Sequence, residues 1–546
     1  MRAWIKNQKK PLLILLFSWG LFFSYSFSKM IGIKNSDLYI GHPNAWSDWA
    51  LHIGIANIFN YKNPSDWFSY HPIYAQGKFT YPFLSDFISG IFERIGFSLS
   101  LSFIAPSILT SLFLIVGIYL FFLIITNSKK ASLLGISFFM LSSGLGFVNF
   151  IKDFLSNPSI DLLLYPLAKY SNFATYDWYT GNVIVGLLIP QRGFLLGMTV
   201  GIWALIGLIY SLKQTTNKNF TIISGALAGL LPIIHPHSFI AVVLLSGSIC
   251  LINSRQWKTW IFYFIPAFMV SITLFTVFIW GGVENKTFFQ ILPGWTSTGG
   301  ILGWAKMWMT LWGAMIPLSI FGVYILYKLK RDKKILSIAF GFYLIFIISN
   351  FFLFQPVRWD NTKLFWWSYL GFSIFSSYVL IIFSKRGLLL KIFSVLIGIS
   401  LIFTGILELL NFIQFDKHTY RLSSRDEINL GQEIRQKTKP NEIFLTAPKH
   451  NHLVSLWGVR PILIGYTAWV WNFGFNHSQT EQDTYQMFKG GNESQVLLKK
   501  YKISYIFIGP AEINEFHANK NYFQSNFPLI LSDKENKIYD VRNLLK

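Results

Sequence analysis

Apolar runs long enough to cross a bilayer, which takes about 20 residues of helix, recur along this chain as far as residue 412. They lie near 11–29, 100–126, 132–151, 183–212, 220–235, 238–253, 259–280, 304–327, 335–354, 364–383 and 391–412. The fifth and sixth are short and suit a helical hairpin that does not fully cross. The alternate connections are NSKK (127–130), KQTTNK (213–218), SRQWK (254–258), KLKRDKK (328–334) and SKRGLLLK (384–391). Each packs at least two lysines or arginines into a very short loop, which is the positive-inside bias of cytoplasmic loops. The pattern predicts a polytopic α-helical membrane protein with about eleven transmembrane helices over 1–412.

The charge balance supports this reading. Charged residues make up only 13% of the 546, against about a quarter in soluble domains. The formal net charge of +22 sits in loop clusters rather than in a basic stripe on a soluble domain, which argues against a nucleic-acid partner. The single cysteine, Cys250, excludes an intramolecular disulfide and a cysteine-based zinc site. No small-residue cleavage site follows the first apolar run, so it reads as a membrane helix rather than a removable signal.

The opposite side carries the long loops 30–99, 152–182, 281–303 and 355–363, rich in aromatic residues, proline and glycine. An odd number of crossings places 413–546 on the extracytoplasmic side. There SSRDEINLGQEIRQKT (423–438) reads as a helix with Ser424 as N-cap and Glu427 three residues on. NEIFLTA (441–447), RPILIG (460–465) and KISYIFIG (502–509) read as strands, with helices near 480–489 and 493–501. A small soluble α/β domain follows. No GxGxxG succeeds a strand, so there is no dinucleotide site.

Chemistry concentrates in the first outer loop, 30–99. A helix over 46–60 puts Asp48 and His52 on one face at i, i+4 spacing. A carboxylate beside aromatic residues at the membrane surface suits general-base work or metal coordination. Periodicity alone favours a plainer assignment, with Asp48 as a helix cap and His52 as an interfacial packer. Further polar groups stand near the outer helix ends: Arg192 in the fourth span, His235 and His237 between the short spans, and Arg358, Asp360 and Lys363 in QPVRWDNTK. Arginine and lysine lining one cavity there would hold a phosphate or pyrophosphate. Interfacial snorkelling explains Arg358 and Lys363 equally well, whereas Arg192, inside an apolar run, points to function.

The loop WSDWALH (46–52) followed by HPIYAQGKFTYPFLSD (71–86), with GYTAWVWNFGFN (465–476) and LLKKYKISYIFIGPAE (497–512) in the tail, resembles membrane glycosyltransferases of the GT-C fold. That superfamily includes the protein O-mannosyltransferases, the aminoarabinose transferases and the oligosaccharyltransferase subunits. The resemblance covers most of the chain as architecture. It implies an enzyme of a prokaryotic inner membrane that transfers a sugar from a polyprenyl-phosphate donor to an acceptor at the outer leaflet.

By that resemblance Asp48 is the catalytic base, and Arg192, Arg358 and Lys363 stabilise the leaving lipid phosphate; Asp37, His52, His235, His237 and Asp360 are the further candidates for contact with substrate. The family often pairs acidic residues in this loop. Here Ser47 and Trp49 flank Asp48 and Asp37 is the nearby acid upstream, which points to a base without a firmly bound metal, a divalent metal remaining the possible cofactor. The rival class is a transporter or flippase of lipid-linked sugars, which must expose polar groups at both faces rather than one.

Overall fold

The computed structural model describes residues 8–42, 46–176, 178, 181–212, 218–282, 284, 289–297 and 299–545. Of the basic loop 213–218, residues 213–217 lie outside the described residues. The chain divides into two compact units. One comprises Met1–Lys29, Ile104–Phe275 and Phe289–His418, and the other Met30–Phe103, Thr276–Phe288 and Thr419–Lys546.

The first unit is helical. Among the described residues seven helices are long and apolar enough to cross a membrane, or up to nine if each of two bent pairs is one span. Several expected runs are broken, for physical reasons. The run 132–151 divides into Lys129–Leu141 and Gly144–Ser156, bent by 72°. Gly144 has φ +69°, and a Cβ there would strike the carbonyls of Thr310 and Leu311. The run 304–327 bends by 82° at Gly313, whose φ is +56°.

The run 183–212 is a π turn, Ile184–Leu188, then Pro190, then the helix Arg192–Ser211. Lys218–Gly229, Leu231–Ile234 and Pro236–Ile252 replace the two short spans. His235 is forced into an extended conformation (φ −163°, ψ 102°) by the proline after it.

The core of this unit is aromatic. Trp308 and Trp312 stand 4.3 Å apart, and both pack on Phe346 and Phe365. Such rings bury large areas and fix one another's orientation.

The second unit holds two sheets. Ile31–Lys34 and Asp37–Ile40 form a hairpin whose turn residues, Asn35 and Ser36, both have positive φ. Tyr420–Ser423 pairs antiparallel with Asp37–Ile40 and so brings the start of the tail beside the first outer loop.

The other sheet has the order Ile443–Leu445, Ile503–Ile508, Asn536–Asp540, Leu529–Asp533. Its first pair is parallel and the rest antiparallel. Ile503–Ile508 is buried at all six positions, as a central strand requires. Helices Ser478–Lys489 and Asn492–Lys500 lie between strands in sequence. The helix Arg425–Lys437 begins with a complete capping box of Ser424 and Glu427.

The expected strand 460–465 does not form. Pro461 has no N–H to donate, and only Phe444 and Ile462 make a bridge. Instead the segment turns to hydrogen-bond residues 73–75, with Ala75 N–H on Ile462 and Gly465 N–H on the Ile73 carbonyl.

Candidate functional site

The helix Trp46–Tyr61 carries Asp48 in its first turn, half-buried. His52, one turn on, is buried, and its Nδ1 lies 2.8 Å from Asp86 Oδ2. Asp86 sits in the first turn of Leu84–Arg94 and is fully buried. The two helices approach closely because Gly90 faces Ala56, where any Cβ would meet the Ala56 carbonyl. A buried carboxylate accepts from Nδ1–H, which fixes the imidazole tautomer and leaves Nε2 as an acceptor. The Tyr81 ring packs 6.1 Å from the imidazole.

Tyr420 completes this set. Its phenol is raised well above the ordinary tyrosine range, first by burial and then by the negative charge of Asp48. Its hydroxyl is buried without a hydrogen-bond partner among the described residues. A neutral O–H donor and a carboxylate within electrostatic range can handle a hydroxylic substrate, one holding it and the other taking its proton. Asp37, by contrast, accepts from the Arg425 backbone N–H at 2.8 Å and from the Arg421 guanidinium at 3.4 Å, tying the hairpin to the following helix.

In the tail, Trp457 and Trp469 are buried, while Trp471 is 40% exposed.

The other anticipated residues belong to the helical unit. Arg192, only 3% exposed, opens its helix, and its Nε donates to Ser107 Oγ at 3.3 Å. The same helix packs on His235. A Cβ at Gly197 would lie 2.6 Å from that of His235, and the Phe194 ring meets the imidazole edge-on at 5.3 Å.

His235 Nδ1 accepts from Ser238 N–H at 3.1 Å, and the rings of His235 and His237 are 5.4 Å apart. The Nε2 atoms of both are buried without a partner among the described residues. Lys363 lies within electrostatic range of both rings, and Asp360 within range of His237. Asp360 accepts from Lys363 Nζ at 2.9 Å and from Gln355 Nε2 at 2.6 Å. Arg358 is exposed, in the short helix before Lys363.

The helical unit thus gathers His235, His237, Asp360 and Lys363, beside the helix that Arg192 opens. The second unit gathers Asp48, His52, Asp86 and Tyr420. Asp86 and Tyr420 escaped the sequence reading. Asp86 closes the segment HPIYAQGKFTYPFLSD as its one acid, which was the available signal, while Tyr420 arrives through strand pairing. Among the described residues no group of three or more His, Cys, Asp or Glu is placed to hold a metal ion.

No protein-family model matches the chain. No curated protein matches it either. Solved structures do. The oligosaccharyltransferase of Archaeoglobus fulgidus, tethered with an acceptor peptide containing the NVT sequon, matches with a TM-score of 0.54 and 11% identity, over 92% of this chain and 70% of that one. ArnT from Cupriavidus metallidurans, bound to undecaprenyl phosphate, aligns over 98% of this chain and 99% of that one, with 11% identity and a TM-score of 0.46. Both are GT-C glycosyltransferases. On the likeness to the first of them, this integral membrane chain has the GT-C fold.

Proposed function

We propose that this chain is a glycosyltransferase that moves a sugar from a polyprenyl-phosphate donor to an acceptor on the extracytoplasmic side of a prokaryotic membrane. Residues 1–412 form its membrane domain, and 413–546 lie outside. The observation that carries the reading is the setting of Asp48. It is a half-buried carboxylate in the first outer loop, one helical turn from the His52–Asp86 pair and within electrostatic range of the Tyr420 phenol.

In the reaction, the acceptor hydroxyl attacks the anomeric carbon of the donor sugar, and Asp48 takes the hydroxyl proton as the new C–O bond forms. The bond from the anomeric carbon to the phosphate oxygen breaks, and the lipid phosphate leaves with its electron pair. His52, held by Asp86, and the Tyr420 hydroxyl orient the acceptor. We assign Arg192, Arg358 and Lys363 to the charge on the departing phosphate, and His235 offers a neutral Nε2–H, since its Nδ1 accepts from Ser238 N–H, with His237 beside it. Asp360 holds Lys363 in place. Asp37 serves the architecture of the loop.

The test is the full chain in liposomes with a radiolabelled polyprenyl-phosphate sugar. Sugar released from, or transferred off, the lipid supports the reading. Movement of intact donor between leaflets without sugar loss contradicts it and makes the protein a flippase.

A further inference from the structure

A second polar hollow lies in the helical unit and is lined by none of the residues assigned above. A cavity of about 270 Å³ is lined by Lys218, Thr221, Arg255, Gln256, Trp257 and Lys258, among others. These cations come from two of the short basic loops, KQTTNK and SRQWK.

The packing of two helices brings Lys218 beside Arg255 and Lys258. Lys218–Gly229 and Trp257–Leu274 run parallel, since Gly225 faces Tyr263 and, one turn on, Gly229 faces Ala267 and Val270. Small residues let the backbones close up, as between membrane helices generally. Being parallel, the two helices present their N-termini at the same end, where orphan N–H groups and the helix dipole favour an anion. Neither first turn carries an acidic residue, and the second helix has no side-chain cap at its start.

Three cations and two helix N-termini around one hollow fit a phosphate. Gln256 supports a larger headgroup, because its Oε1 is buried without a partner among the described residues and can accept from a headgroup hydroxyl. Leading away from the hollow, Ile261, Ile265, Phe268 and Met269 are 42–62% exposed along one helix, an apolar track for an acyl chain. Trp257, 58% exposed, stands at the mouth as an interfacial anchor.

We infer that this pocket binds the phosphate headgroup of an anionic phospholipid in the leaflet where the basic loops cluster. Inorganic phosphate shares the chemistry but has no use for the apolar track.

The experiment uses the full chain in nanodiscs of mixed phosphatidylglycerol and phosphatidylcholine, with native mass spectrometry counting the lipids retained after gentle extraction. Wild type retains phosphatidylglycerol in preference. Replacing Lys218, Arg255 and Lys258 by glutamine lowers that retention about fivefold per cation removed. The charge-preserving set Lys218→Arg, Arg255→Lys and Lys258→Arg keeps it, which separates binding from misfolding. Equal retention of both lipids overturns the inference, as does unchanged retention in the neutral variant or loss in the charge-preserving one. Thermal stabilisation of the delipidated protein by inorganic phosphate to the same degree as by phosphatidylglycerol assigns the site to free phosphate and overturns the lipid.

Discussion

His52 Nδ1 and Asp86 Oδ2 lie 2.8 Å apart, both side chains almost wholly removed from solvent, although 34 residues separate them in sequence. On the proposed reading Asp86 is a positioning residue that keeps His52 in one tautomer beside Asp48. Asp86→Asn therefore lowers the transfer rate by roughly a hundredfold with little change in KM for the donor. Combined with His52→Ala it costs no more than either change alone, because the two act as a unit. Steady-state kinetics on the three variants check this, and strictly additive losses contradict it.

His71, in the same outer loop, is fully buried, and burial pushes its imidazole down to about 3 from the ordinary 6.5. Between those values the unfolded chain binds a proton that the folded chain refuses, so folding stability falls as pH falls from 6.5 towards 3. The slope reaches about 1.4 kcal/mol per pH unit. Thermal unfolding of wild type and His71→Phe, compared near neutrality and at about pH 4, checks it. Equal acid sensitivity in both proteins sinks the assignment.

Lys62 has the same sign in a higher window. Burial, and then the charge of Arg460, lowers it from 10.5 to about 7. Its ammonium reaches the Pro440 carbonyl at 3.2 Å and lies 4.1 Å from the Tyr70 ring centroid. The unfolded state holds the extra proton between about 7 and 10.5, so stability rises with pH across that window. Lys62→Met flattens the rise, which denaturant unfolding at stepped pH measures.

Gly225 is a packing glycine, since any Cβ there would meet the Tyr263 carbonyl. Gly225→Leu costs about 1–3 kcal/mol or more, enough to lower the yield of folded protein. Gly247→Leu is the control, because nothing lies within 4 Å of that position, and it is tolerated. Size-exclusion profiles of the two variants decide it.

How far the sequence foretold this differs by element. Apolar runs and basic loops marked the membrane helices, because lipid forces that composition. The helix Trp46–Tyr61 and the Ser424 cap were also legible, being local patterns. The bends at Gly144 and Gly313 were not, because glycine is common in membrane helices and its sequence does not show where φ turns positive. Asp86 and Tyr420 join the site only through tertiary pairing. Tyr420 needs the register that places it opposite Ile40, which no spacing within the first loop encodes.

On the proposed reading Asp48 takes the acceptor proton. The direct measurement is sugar transfer from a labelled polyprenyl-phosphate donor by Asp48→Asn in liposomes, beside a thermal unfolding profile of the same preparation. Transfer falls by at least about a hundredfold while the unfolding profile is unchanged. Transfer at the wild-type rate by that folded variant would contradict it.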